Sequence, residues 1–169
     1  MEPLIVTLKL DADTFARLDR LRREHFPAKR NHISAHLTLF HQMPGEERER
    51  VGADLRAVAP TAPIDLQVTG PRSLGRGVAF DIESPPLNAL RAELARRWAQ
   101  WLTPQDRHGF RPHVTVQNKV TAEEARALKA SLTAGFSPFT ARGEGFQLWR
   151  YLDGPWALEA EVPFRPPSG

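Results

Sequence analysis

The chain has 169 residues, of which 41% are hydrophobic, and a formal net charge of +3 at pH 7. This length suits one compact domain with its own core. The absence of cysteine excludes disulfides, thiolate nucleophiles and cysteine-bearing zinc or iron–sulfur sites. No apolar stretch approaches the roughly 18 residues of a membrane span, and the N-terminal segment lacks the basic lead of a signal peptide. We therefore expect a cytoplasmic protein that does not enter the membrane.

Arginine far outnumbers lysine among the basic residues. Guanidinium groups match the geometry of phosphate, so this excess suits an anionic partner. A net charge of this size is also ordinary for a globular domain, so it identifies no function by itself.

In the first half of the chain, the spacing of apolar residues predicts strands and helices in turn. Residues 3–10 form the first expected strand. Asp11 has N-cap chemistry for a helix that continues through Arg22 to about Phe26 and ends at Pro27. After it, the pattern predicts a strand over 34–42, a charged helix over 46–59 and a strand that begins at Ile64.

A glycine- and proline-rich segment over 70–77 separates this half from a second one of the same order. The second half has an expected strand over 78–82, a helix opened by Ser84-Pro85-Pro86, a strand over 111–118, a helix over 121–132 and a closing strand pair around 145–151 and 157–162. The repeat predicts a duplicated α+β fold. In this fold, two antiparallel-rich sheets with outer helices are related by a pseudo-twofold axis around a shared groove.

We expect residues 1–169 to form a single domain made of two lobes. The lobes are expected at about 1–75 and 76–164, with strands that can be exchanged between them. Residues 165–169 are expected to be a loose tail.

Two His-x-Thr motifs lie in corresponding strands of the two halves, one with His36 and Thr38 and the other with His113 and Thr115. Side chains alternate faces along a strand, so each histidine shares a face with its threonine. The two side chains of one motif are then roughly 6–7 Å apart along the strand. Both can therefore contact one phosphate group.

This pair of motifs favours acid–base chemistry at a phosphodiester. One histidine can take a proton from the attacking water or hydroxyl, and the other can protonate the departing oxygen, because histidine titrates near neutral pH. The threonine hydroxyls can donate to non-bridging oxygens. The chemistry requires no metal and no cofactor. For either motif alone, a half-buried structural histidine is the alternative interpretation.

At these motifs the sequence resembles the 2H phosphoesterase superfamily, in its 2′-5′ RNA ligase-like branch. Residues 35–39 look like the first motif of that family, and residues 110–116 look like the second, including the proline before His113. Residues 148–164 are similar to the closing strand pair, where the family usually has tyrosine in place of Trp156.

The resemblance implies a bilobal fold and action on 2′,3′-cyclic phosphates or 2′,5′ linkages of RNA or nucleotides, without ATP or metal. It implies that His36 and His113 are the acid–base pair and that Thr38 and Thr115 hold the phosphate. It does not distinguish hydrolysis from ligation, nor does it say which histidine is the base.

Four further residues are candidates for substrate binding: Arg111, Gln117, Phe40 and Tyr151. The first two share the strand parity of His113, the third shares that of His36, and the fourth lies in the closing strands. A solvated or core position is the alternative for each. His41 has the opposite parity to His36 and is interpreted as structural.

Two other functions remain open at this point. One is a metal-dependent hydrolase, for which the sequence offers no His-Glu-x-x-His pattern. The other is a non-catalytic RNA- or nucleotide-binding module that keeps the same groove, for which it offers no strong basic run. We expect the partner to be RNA or a nucleotide and the protein to be a monomer.

Overall fold

A computed structural model describes residues 1–166 of the chain. Its seven strands are β1 (Leu4–Leu10), β2 (Leu37–Met43), β3 (Ile64–Ser73), β4 (Val78–Glu83), β5 (His113–Gln117), β6 (Phe139–Tyr151) and β7 (Trp156–Pro163). Its five helices are α1 (Ala12–His25), α2 (Arg48–Val58), α3 (Pro85–Arg97), α4 (Pro104–Arg107) and α5 (Ala122–Ala134). Of the tail expected at 165–169, residues 167–169 lie outside the described part.

Three helices begin at the capping residues that the sequence indicates. The side chains of Asp11, Ser84 and Thr121 each accept a hydrogen bond from the backbone N–H three residues further along, at the start of α1, α3 and α5. An N-cap side chain satisfies one of the free backbone donors of the first turn, which is why these positions fix where each helix starts.

The strands form one sheet in the order β2-β1-β6-β3-β4-β5, with β7 paired to β6, and the pairings are antiparallel. The long strand β6 holds the sheet together. Its second half pairs with β1, from Gly143 to Arg150, and with β7. Its first half, from Phe139 to Gly143, pairs with β3. The expected α+β class with antiparallel strands is confirmed, and the two expected sheets are joined through β6.

Strand pairing does not follow the two halves of the sequence. β3 comes from the first half, yet it pairs with β4 and β6. The division of the chain into two lobes therefore remains a proposal, in which β3 and β6 are the exchanged strands. β3 also extends to Ser73, so part of the glycine-rich segment is strand. The turn that follows is closed by a 2.9 Å bond from Leu74 N to Gly77 O, with Gly75 at a φ of 85° that favours glycine.

The two faces of β1 have different surroundings. Leu4 and Val6 are buried in the core, whereas Ile5 and Lys9 on the other face line two adjoining cavities. Among the helices described in residues 1–166, none is long and apolar enough to cross a lipid bilayer.

Candidate active site

A cavity of about 150 Å³ brings the two His-x-Thr motifs together. Its lining consists of Ile5, His36, Thr38, His41, His113, Thr115 and Trp156. A water molecule takes about 30 Å³ in the liquid, so the cavity has room for about five water molecules. This is enough space for a phosphorus atom and its four oxygens. In the described part of the chain, no carboxylate lines the cavity, which suits an anion.

The curvature of the sheet explains how the motifs meet. β2 and β5 are the two ends of the strand order, and both contribute to the same cavity. In β2, Thr38 lies opposite Thr7 of β1. In β5, Thr115 lies opposite Ala79 and His113 lies opposite Asp81. The sheet therefore curls until its two end strands face one another. The antiparallel pairings fix the position of each motif along its strand.

Helix α1 connects the two ends of the sheet. The Asp19 carboxylate accepts a 2.9 Å bond from the backbone N–H of Ala35, immediately before His36. From the same helix, the buried Arg22 guanidinium donates a 2.9 Å bond to the carbonyl of Thr115. One helix thus anchors the chain next to the first histidine and the strand that carries the second motif.

The two motif histidines are held in the same way. The Nδ1 atoms of His36 and His113 each lie 2.8 Å from a backbone carbonyl two residues earlier, that of Ser34 and that of Arg111. A carbonyl can only accept a hydrogen bond, so Nδ1 of each ring carries the proton and donates it. In each neutral ring, Nε2 is then left with a lone pair that can take up a proton.

The surroundings of His36 favour its neutral form. The pKa of His36 is lowered from 6.5 to about 4, mainly because burial penalises the charged ring and also because of the positive charges of Arg22, His41 and His113. The hydrogen bond to Ser34 acts in the opposite direction. His36 is therefore neutral at neutral pH.

His113 has a different set of charged neighbours. Burial is the main cause that lowers its pKa, and Arg72 and His41 lower it further. The Asp81 carboxylate acts against this shift, as does the hydrogen bond to Arg111. Asp81 itself accepts a 2.7 Å bond from Arg72 and a 2.8 Å bond from Arg111.

A larger cavity of about 610 Å³ adjoins the small one and shares His36 and Trp156 with it. Its lining includes Trp149 and Gln147, which are both hydrogen-bonded to Thr7. The Thr7 hydroxyl accepts a 2.9 Å bond from Trp149 Nε1 and lies 3.2 Å from Gln147 Oε1. The two indole rings have centroids 6.0 Å apart, so they form an aromatic wall that begins beside His36.

Two of the residues predicted to contact substrate are buried and lie outside the lining of both cavities. Phe40 is completely buried and packs edge-on against Trp98 in the core, with ring centroids 4.9 Å apart. Gln117 is only 6% exposed and lines neither cavity. In both strands an irregular register breaks the simple alternation of faces, in β2 before Phe40 and in β5 before Gln117.

The other two candidates lie outside both cavities. Arg111 is largely exposed and forms its ion pair with Asp81. Tyr151 is the last residue of β6, 37% exposed and opposite Trp156 in the strand register. Contact of either residue with a substrate stays a prediction.

A family model described as the 2′-5′ RNA ligase superfamily matches residues 10–155. The chain belongs to this superfamily. Among curated proteins, none matches the sequence.

Several solved structures have the same fold, and each match covers 98% of the present chain. TT0787 of Thermus thermophilus has a TM-score of 0.63 and 19% identity, over 100% of that chain. E. coli LigT complexed with 3′-AMP has a TM-score of 0.62 and 16% identity, over 99% of that chain. A protein described as a phosphoesterase has a TM-score of 0.63 and 18% identity, over 100% of that chain.

The sequence did not indicate three polar residues at or near this superfamily member's site. His41 was interpreted as structural, yet it lines the small cavity and its Nδ1 lies 2.9 Å from the buried Asp106 carboxylate. Arg22 was assigned only a helical position. The contacts of Asp106 and Arg22 join residues far apart in the chain, so no local sequence pattern predicts them.

Within residues 1–166, no three histidine or carboxylate side chains are grouped as metal ligands.

Proposed function

We propose that this protein is a metal-independent phosphodiesterase that acts on 2′,3′-cyclic phosphates or 2′,5′ linkages of RNA or nucleotides. One observation carries the proposal. Both His-x-Thr motifs, from opposite ends of the curled sheet, line a single cavity of phosphate size. Membership of the 2′-5′ RNA ligase superfamily supports it.

The proposed reaction needs two proton transfers at phosphorus. A neutral imidazole takes a proton from water through Nε2 as the water oxygen forms its bond to phosphorus. The bond from phosphorus to the 2′ or 3′ oxygen breaks, and a protonated imidazole gives that oxygen a proton. The product is a phosphomonoester with a free neighbouring hydroxyl. Ligation uses a different nucleophile: a ribose 5′ hydroxyl replaces water, the bond from phosphorus to the 3′ oxygen breaks, and a 2′,5′ linkage forms. In the reverse reaction the 3′ hydroxyl attacks the 2′,5′ linkage and the 5′ hydroxyl leaves with a proton.

The charges near the two rings support a division of roles. We assign the base to His36, because burial and nearby positive charges keep it neutral. We assign the acid to His113, because the Asp81 carboxylate opposes the lowering of its pKa, whereas no carboxylate acts in this way on His36. Thr38 and Thr115 are assigned to the non-bridging oxygens, where donors stabilise the charge of the transition state.

The larger cavity suits the rest of a nucleotide. His36 and Trp156 line it at the boundary with the small cavity, and Trp149 forms part of its wall. Bases stack on aromatic rings with about 1–3 kcal/mol per base, so we assign the nucleoside to this cavity and the phosphate to the small one. LigT, which shares the fold, is known in complex with 3′-AMP. A cytoplasmic, monomeric enzyme remains the expectation from the sequence.

The test is incubation of the protein with nucleoside 2′,3′-cyclic monophosphates in excess chelator, with phosphorus NMR to identify a 2′- or 3′-phosphate product. We expect turnover that is unaffected by the chelator. Turnover that the chelator abolishes would indicate a metal-dependent hydrolase. Absence of turnover, with RNA affinity that survives in His36→Ala and His113→Ala, would indicate a binding module.

A further inference from the structure

A third imidazole lies in the small cavity and has no role in the two-histidine reaction. His41 belongs to β2, five residues after His36. The register of β2 against β1 shifts twice between Thr38 and Met43. These irregularities place Phe40 in the core and turn His41 to the face that carries His36 and Thr38.

The buried Asp106 carboxylate fixes the His41 ring. Asp106 is 1% exposed, and its carboxylate accepts hydrogen bonds from the backbone N–H groups of His41 and Gln42 at 2.9–3.1 Å. The same carboxylate lies 2.9 Å from His41 Nδ1. These hydrogen bonds hold the pKa of Asp106 below its usual value although burial acts in the opposite direction, so the carboxylate is ionised at neutral pH.

An ionised carboxylate can only accept, so Nδ1 of His41 carries a proton and donates it to Asp106. The other nitrogen, Nε2, is then on the edge of the ring away from Asp106. The side chain of His41 is 43% exposed, whereas that of Asp106 is fully buried. The backbone bonds to Asp106 already anchor β2 to α4 without the ring. A purely structural role for His41 therefore does not explain why its imidazole lines the small cavity.

Electrostatics also favour an anion at this ring. The cavity lining contains three imidazoles and two hydroxyls. A positive charge on His41 acts on both His36 and His113, which shows that it is within electrostatic reach of both. When Nε2 of His41 binds a proton, Asp106 balances the charge on one side and a phosphate oxygen can balance it on the other.

We propose that His41 is a third phosphate-binding residue: with both ring nitrogens protonated, it donates from Nε2 to a non-bridging oxygen and from Nδ1 to Asp106, which holds it in place. The proposal rests on the proposed function, since it concerns the phosphate of that substrate. It assigns no proton transfer to His41: Nε2 donates a hydrogen bond and keeps its proton. His41 therefore acts on affinity for the phosphate, in both the substrate and the product.

Two substitutions separate binding through Nε2 from support through Nδ1. In His41→Asn, the amide nitrogen can replace Nδ1 against Asp106, but nothing replaces Nε2. In His41→Gln, the longer amide can replace Nε2. His108→Gln is the matched control, because His108 is an exposed histidine two residues after Asp106 and lines neither cavity.

The measurement is the dissociation constant of 3′-AMP and of adenosine by calorimetry. We expect His41→Asn to weaken 3′-AMP binding at least about tenfold, and His41→Gln to weaken it less. Adenosine binding should be unchanged in both variants. The control should bind 3′-AMP as the parent does. In the parent, ¹⁵N NMR should show the Nε2 resonance of His41 moving when 3′-AMP is added.

The proposal is overturned if His41→Asn binds 3′-AMP within about twofold of the parent, or if His41→Gln is the weaker of the two variants. If 3′-AMP shifts the ring resonances of His36 and His113 but leaves that of His41 unchanged, the proposal is also contradicted. This NMR measurement uses the parent protein and does not depend on the folding of a variant. If the parent binds 3′-AMP and both variants bind it as tightly as the parent does, only this proposal fails. If the parent neither binds 3′-AMP nor turns over cyclic nucleotides, the proposed function fails with it.

Discussion

The imidazole of His36 and the indole of Trp156 are in contact, with ring centroids 4.8 Å apart and ring planes at 59°. Trp156 comes from β7, and it lines both cavities together with His36. The indole thus separates the ring from water on one side. Burial is the main reason why the pKa of His36 is about 4, so this contact contributes to keeping the proposed base neutral.

Trp156→Ala should therefore raise the pKa of His36 toward its ordinary value of about 6.5. Trp156→Tyr is the matched control, because it keeps an aromatic ring against the imidazole and should keep most of the shift. NMR titration of the histidine ring resonances measures both. An unchanged pKa in Trp156→Ala would mean that the indole does not desolvate His36.

The low pKa of His36 also predicts how stability depends on pH. The folded chain binds this proton less readily than the unfolded chain, whose histidine titrates near 6.5. The stabilising contribution is thus fully present above pH 6.5, and it is lost as the pH falls from about 6.5 to about 4. The slope due to one such group is at most about 1.4 kcal/mol per pH unit. His113, whose pKa is also lowered, acts in the same direction.

Urea unfolding between pH 7.5 and pH 4 measures this dependence. The free energy of unfolding of His36→Gln should fall less steeply than that of the parent over this interval, because glutamine does not titrate. Carboxylates contribute equally to both proteins and cancel in the difference. Identical slopes for the two proteins would contradict a strongly lowered pKa at His36.

Arg22 provides a separate test of the electrostatics. Its guanidinium donates to Asn31 Oδ1 and to the carbonyl of Thr115, both at 2.9 Å, and its charge lowers the pKa of His36. Arg22→Gln should raise the pKa of His36. It should also lower the free energy of unfolding by about 1–3 kcal/mol, the usual cost of leaving buried groups unpaired.

Arg22→Lys separates these two effects. It keeps the positive charge, so the pKa of His36 should stay low even though the paired hydrogen-bond geometry is lost. NMR titration gives the pKa values and urea unfolding gives the stabilities. If Arg22→Gln and Arg22→Lys have the same His36 pKa, the charge of Arg22 does not act on that ring.

Local patterns in the sequence could predict much of this fold. Capping residues such as Ser84 and Thr121 fix the helix starts by bonds within one turn, and strand alternation places His113 and Thr115 on one face. The pairing of β3 with β6 could not be predicted in this way, because it depends on contacts between residues far apart in the chain.

The departures from the expected strand alternation at the site have a local physical cause. Irregular pairing between β1 and β2 breaks the alternation after Thr38, so that Phe40 is buried while His41 faces the cavity. A bulge of this kind adds one residue on one strand and reverses the parity of the residues that follow, as far as the next register shift before Met43. Nothing in the residue types of β2 marks its position. The partner of His41, Asp106, is 65 residues away in the sequence.

The measurement that tests the central claim most directly is kcat/KM toward a nucleoside 2′,3′-cyclic monophosphate for His36→Ala, His113→Ala and the control His108→Gln. If the two cavity histidines are the acid and the base, each alanine variant should lose at least about 100-fold, and the control should match the parent. Near-normal kcat/KM in both alanine variants would contradict the two-histidine mechanism.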